Sequence, residues 1–206
     1  MIAIIDYDAG NIKSVEKAFI SLGEDVILTR DTSTLLNADG VILPGVGAFR
    51  DAMEKLHSYD LVACIQEIIQ KKIPFLGICL GLQLMFESSE ESPGIAGLGL
   101  LKGKILRLPE GAGIKIPHIG WNSLRYPNHG RLYDGIAENS YVYFVHSYYL
   151  QAQEETIVTA VTQYGANIHA SIEKDNIFAC QFHPEKSSEI GLRILKNFIL
   201  VTKGEK

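Results

Sequence analysis

The chain has 206 residues, 47% of them hydrophobic, a formal net charge of −5 and a pI near 5.7. That composition suits one globular domain over residues 1–206 with a sizeable core. There is no Lys/Arg block, no apolar run of membrane-spanning length and no basic stretch in the opening MIAIIDYDAGN, so neither nucleic acid nor membrane is expected as a partner, and a cytoplasmic location is.

Residues 2–6 read as a short apolar strand. Residues 11–22 carry helical periodicity, with Ile12, Val15, Ala18, Phe19 and Leu22 on one face and Gly23 as the stop. Strands are expected at 26–28 and 41–43, helices at 49–56 and 61–71, a buried strand at 73–78 and a helix at 80–87. Such alternation predicts a parallel sheet with helices on both faces. Beyond residue 100 the character changes. Segments 104–108, 121–124, 141–149, 156–162, 168–173 and 177–182 are rich in β-branched and aromatic residues, with Gly, Asn and Pro between them, which predicts hairpins. An amphipathic helix is expected over 190–201. The fold class is therefore α/β: a central, mostly parallel sheet flanked by helices on both faces and extended by antiparallel strands.

Three cysteines, Cys64, Cys79 and Cys180, are too few and too scattered for a disulfide framework or a metal site, so neither metal nor cofactor is expected. Cys79 stands apart from the other two. It lies at the join of strand and helix in GICLG, where small neighbours permit a tight turn that lifts one side chain out of the core. In an open α/β sheet that join faces the ligand crevice. A helix N-terminus behind the sulfur favours thiolate, and the Leu80 N–H is expected to be free for an oxyanion. A buried structural thiol is the alternative.

A partner for such a thiol lies in CQFHPEKS. His183 comes at the end of a strand, and Glu185, two residues on, is on the same side of an extended chain, where it can hold the imidazole as base and leave the other nitrogen free. LPGVGAF is neither a dinucleotide fingerprint, since Arg50 stands where a third Gly is needed, nor a P-loop. Such a loop can offer backbone N–H groups to a developing oxyanion, and its glycines let a peptide plane rotate at low cost; a simple strand-to-helix turn is the alternative. In YVYFVHSYYL, alternation puts Tyr141, Tyr143, Val145, Ser147 and Tyr149 on one face of a strand. His146, Ser147 and Tyr148 suit the head group of a polar substrate, and His146 is a rival base without a carboxylate to orient it.

Together PGVG (44–47), GICLGLQ (77–83) and HPEKS (183–187) resemble the class I, triad-type glutamine amidotransferases in order and spacing. Within that family DYDAGNIKSVEKA, KIPHIGWN, YFVHSYY and QFHPEKSSEIGLRILKNF look like the glutaminase subunits of imidazole glycerol phosphate synthases from histidine biosynthesis. Asp8 departs from the pattern, where Gly is expected. The resemblance implies Cys79 as nucleophile, His183 as base then acid, and Glu185 as its orienter. It implies an oxyanion hole from Leu80 and from Val46 or Gly47, and L-glutamine contacts from Gly45, Gly47, Gln83, His146, Ser147 and Tyr148. A (βα)₈-barrel cyclase subunit would receive the ammonia, with Asn11, Trp121, Asn122, Tyr143 and Lys186 at or near the interface. An amidotransferase of another pathway, a free-standing γ-glutamyl hydrolase and a non-catalytic regulatory subunit are the competing readings.

Overall fold

The computed structural model describes residues 1–205. In chain order it has β1 (Ile2–Ile5), α1 (Ile12–Ser21), β2 (Val26–Thr29), α2 (Thr32–Leu36), β3 (Gly40–Leu43), α3 (Phe49–Ser58), α4 (Leu61–Gln70), β4 (Phe75–Ile78) and α5 (Leu80–Leu84). The remaining elements are β5 (Ser88–Ser89), β6 (Gly103–Arg107), β7 (His118–Ser123), β8 (Tyr141–His146), β9 (Tyr148–Ala152), β10 (Val158–Tyr164), β11 (Ala166–Lys174), β12 (Ile177–Cys180) and α6 (Ser188–Thr202). Short 3-10 turns occupy Arg131–Tyr133, Glu155–Ile157 and Pro184–Lys186.

The main sheet runs β10-β11-β12-β4-β3-β1-β2. The five strands from β12 to β2 are parallel, and β11 and β10 extend that sheet antiparallel at one edge. The inner strands β1, β3, β4 and β12 are buried along their whole length because both faces are covered, whereas the edge strand β2 is only partly buried. In β1, Ala3 and Ile5 face the core built with α3 and α4, while Ile2 and Ile4 face the one built with α1 and α6. The predicted helical face is realised in α1, which buries Ile12, Val15, Ala18 and Phe19. On the same side Phe198 of α6 meets Phe19 and Phe178 edge-on, at 6.5 and 5.7 Å. The fold class expected from sequence is thus the one observed.

One helix is not expected from the sequence and two local expectations fail, each for a physical reason. The helix α2 goes unseen in the sequence because it is one turn long and buries only Leu35, while Asp31 caps it by accepting the Thr34 N–H at 2.7 Å. The helix expected over 80–87 stops at Leu84. The carbonyls that would continue it are taken by a returning segment: Leu98 N–H bonds Leu84 O at 2.8 Å and Leu100 N–H bonds Met85 O at 2.9 Å. The single strand expected over 141–149 breaks at Ser147. Before the break β8 pairs with β7 in a two-stranded sheet, and after it β9 joins β6 in a three-stranded one.

Candidate active site

Strands β4 and β12 are parallel neighbours in the register Ile78↔Cys180. Their C-terminal ends therefore release the chain at the same edge of the sheet. After β4 comes Cys79, and after β12 come Gln181 and His183.

Cys79 adopts φ 54°, ψ −105°, a conformation that L side chains rarely hold. Close approach on both sides enforces it. A Cβ on Gly81 would lie 1.8 Å from the Leu43 carbonyl oxygen, so α5 can press against β3 only through a bare backbone. The expected helix-dipole help is small, because α5 has only five residues. The positive charge beside the sulfur comes from His183 instead. Burial opposes protonation of His183, but hydrogen bonds to Cys79 and Glu185, and the negative charge of both, outweigh it and raise its pKa to about 10. His183 is accordingly held as imidazolium beside the sulfur.

The orienting contact forms as expected but by another route. His183 Nδ1 donates to Glu185 Oε1 at 2.8 Å across the 3-10 turn Pro184–Lys186, not along an extended strand. The turn is anchored to β8: His183 N–H bonds Tyr143 O at 2.9 Å, and Ser187 Oγ bridges His183 O at 2.6 Å and Tyr143 N at 2.9 Å. Asn11 Nδ2 donates to the same Glu185 oxygen at 3.0 Å and is itself held by Ser14 Oγ at 2.8 Å. Asn11, expected only near a partner surface, is thus also tied to the carboxylate. Asp8, where Gly is expected, has φ 59°, which accounts for that expectation. Arg30, Tyr59 and Lys55 hold it there.

The expectation of a free Leu80 N–H is corrected. That group donates to Gly45 O at 3.2 Å, so a carbonyl occupies the place where an oxyanion would be bound. Gly47 has φ 108°, and Val46 is exposed. The 44–47 loop therefore stands with one peptide oxygen turned towards α5.

A cavity of about 350 Å³ opens beside Cys79, lined in part by Val46, Gly47, Leu80, Gln83, Glu91 and His183. His146, Ser147 and Tyr148 form another part of the wall. Gly45 lies behind it, where a Cβ would be 2.3 Å from the Tyr7 hydroxyl. His146 is closed off as a base, because both ring nitrogens are engaged. Nδ1 donates to Tyr148 O at 2.9 Å, so Nε2 accepts from His118 Nδ1 at 3.0 Å. His118 is stacked between Phe144 and Tyr164, with ring centroids 4.9 and 3.8 Å away. Residues missed at the sequence level are His118, Glu91 and Gln181. KIPHIGWN holds His118 in plain view, but nothing local shows that His146 faces it across the hairpin.

Burial drives the His118 pKa down to about 4, and burial together with repulsion from His118 drives that of His146 to about 3. Both imidazoles are neutral in the fold. Below pH 6.5 the unfolded chain takes up protons that the folded one refuses, so stability is lost as pH falls from 6.5 towards 4. Each ring is expected to remove about 2 kcal/mol by pH 5. Urea unfolding at pH 7.5 and pH 5 should show this fall, and His118→Phe should reduce it. Equal falls in both proteins would overturn the assignment.

On the residues expected at a partner surface, the structure places Trp121 half-exposed against Tyr143, with ring centroids 5.9 Å apart. Asn122 Nδ2 donates to Gln163 O at 3.1 Å, and Lys186 borders the cavity.

The chain belongs to the class-I glutamine amidotransferases: the family model "Glutamine amidotransferase class-I" matches residues 3–202. Solved structures agree on the fold. A crystal structure of a glutamine amidotransferase superposes with TM-score 0.77 at 18% identity, covering 98% of both chains. The glutaminase domain of Trypanosoma brucei CTPS, with bound acivicin, gives 0.72 at 18%, covering 100% of this chain and 94% of that one. Within the class the chain is a member of the HisH subunits of imidazole glycerol phosphate synthase. It is 54% identical to the HisH of Moorella thermoacetica over 96% of this chain and 93% of the relative. It is 49% identical to that of Methanocaldococcus jannaschii over 97% and 98%.

Proposed function

We propose that the chain hydrolyses the side-chain amide of L-glutamine through a Cys79 thioester. The ammonia passes to a (βα)₈-barrel cyclase subunit that makes imidazole glycerol phosphate and aminoimidazole carboxamide ribotide in histidine biosynthesis, in the cytoplasm. The observation that carries this reading is the chain Cys79–His183–Glu185, assembled at the ends of adjacent strands beside a cavity of amino-acid size.

The Cys79 thiolate attacks the amide carbon, and the carbonyl oxygen becomes an oxyanion. His183, already protonated, gives its proton to the departing nitrogen, so ammonia leaves and a γ-glutamyl thioester remains. His183 then takes a proton from water as it attacks, the C–S bond breaks, and glutamate is released. Glu185 and Asn11 keep the imidazole aimed. Glutamine's polar end meets the wall of Gln83, His146, Ser147 and Tyr148. Glu91 is the carboxylate on that wall, and its Oε2 is fixed by the Phe49 N–H at 2.8 Å, at the start of α3. It suits the α-ammonium group. Glu91→Gln is expected to raise KM for glutamine about tenfold or more and to leave kcat nearly unchanged, since a charge-assisted hydrogen bond is lost from substrate and transition state alike. Steady-state kinetics of the complex checks this, and an unchanged KM would overturn it.

The hairpin of β7 and β8 exposes Ile119, Trp121 and Tyr141 at 60%, 50% and 59%. That apolar face, with Asn11, Asn122, Tyr143 and Lys186, is where the barrel subunit docks. The test is glutamate release and imidazole glycerol phosphate formation by the chain mixed with such a cyclase. Synthesis from glutamine only when both are present supports the reading. Efficient γ-glutamyl peptide hydrolysis without a partner would favour a free-standing hydrolase.

A further inference from the structure

Between Cys79 and the Tyr148 carbonyl lie two glutamine side chains that amide hydrolysis by the triad does not fully use. Gln83 Nε2 has two hydrogens and gives both away: to Tyr148 O at 3.0 Å and to Gln181 Oε1 at 3.1 Å. This settles which way the Gln181 amide faces. Its oxygen is turned to Gln83, so its nitrogen is turned to the other neighbour, and Nε2 lies 3.7 Å from Cys79 Sγ. Gln181 is completely buried, so no water competes for that nitrogen. Its backbone is fixed as well. Gln181 N–H bonds Ala170 O at 2.8 Å, and the preceding Cys180 O accepts the Cys79 N–H at 2.8 Å.

We infer that Gln181 is a thiolate-holding residue: its side-chain N–H is an uncharged donor to the Cys79 sulfur, aimed by Gln83 and through it by Tyr148. The sulfur has a competing neighbour, since Sγ as a thiol donates to Val145 O at 3.8 Å. The two contacts favour opposite protonation states. Val145 O can be satisfied only by S–H, and the Gln181 N–H is satisfied best by S⁻. With the His183 proton on one side, the amide biases the sulfur towards the charged form at no cost in net charge. The same donor acts in the second half of the reaction. When water has added to the thioester and the C–S bond breaks, its electron pair returns to sulfur, and Gln181 meets that charge as it appears.

The inference deepens the reading of Cys79 as the nucleophile and rests on it. The first readout does not need glutamine. Alkylation of Cys79 by iodoacetamide is followed against pH in the full chain bound to its cyclase, with the modified residue identified by mass spectrometry. Gln181→Met keeps length and removes the donor. The pH of half-maximal alkylation is expected to rise by about one unit, and kcat/KM for glutamine to fall about tenfold. Gln181→Glu keeps the acceptor for Gln83 and replaces the donor by an acceptor, and should raise the midpoint further. Gln83→Met leaves the sulfur untouched but frees the Gln181 amide to turn, and should give a smaller rise. It also covers the case in which the Gln181 variants do not fold. An unchanged midpoint in folded Gln181 variants, with any loss confined to thermal stability, would overturn the inference and make Gln181 a packing residue. Glutaminase activity surviving in Cys79→Ala would instead overturn the functional reading beneath it.

Discussion

Cys79→Ala is expected to abolish glutamine-dependent turnover, by roughly 10⁴-fold or more, while synthesis from added ammonium salts persists in the complex. The two halves of that outcome have separate causes. The sulfur is the nucleophile paired with His183, so no thioester route remains when it is removed. The cyclase reaction needs ammonia, not the thiol, so it should survive if the fold does. Survival of the fold is expected, because Ala keeps the Cβ at φ 54° and loses only the sulfur's contacts with His183, Gln181 and Val145. The double measurement also separates chemistry from folding, since a collapsed variant would lose both activities. Glutaminase turnover retained in Cys79→Ala would remove the catalytic reading altogether.

The second large effect concerns the partner. The isolated chain is expected to hydrolyse glutamine some 10² to 10³ times more slowly than the complex with cyclase and its ligand, which is the usual cost of one missing oxyanion donor. The cause lies in a single hydrogen bond. Gly45 O accepts the Leu80 N–H at 3.2 Å, so one donor is occupied and a carbonyl oxygen repels the developing charge. Rotating the Gly45–Val46 peptide would correct both faults at once, freeing Leu80 N–H and turning Val46 N–H inward. Gly47, at φ 108°, has no side chain to resist that rotation. Val46 is exposed, so a docked partner can bear on it directly. Rates measured with and without cyclase, together with hydrogen exchange at the Leu80 amide, check this. Equal rates would overturn it.

Much of the fold is legible in the sequence because its signals are local. Each of β1, β3 and β4 is a short apolar run buried on both faces, and α1 shows its one-sided stripe. Where the signal is local but its cause is not, the reading fails. Residues 80–87 look helical, yet Leu98 and Leu100 take the carbonyls that would have continued α5. Residues 141–149 alternate like one strand, yet different partners claim each side of Ser147. The site divides the same way. Cys79, His183 and Glu185 can be read because their flanking glycines and proline mark chain direction. The Gly45 carbonyl on Leu80, the His118–His146 pair and the buried Gln181 amide cannot, because each depends on residues tens of positions apart meeting in space.

The break at Ser147 has a mechanical consequence. One length of chain, Tyr141 to Ala152, starts on the exposed apolar hairpin, supplies part of the cavity wall at the break, and ends in the three-stranded sheet. A shift of its backbone at one end is therefore carried towards the other, from the hairpin to the cavity wall. In the proposed complex, the docking face and the cavity wall are thus joined by one short length of backbone.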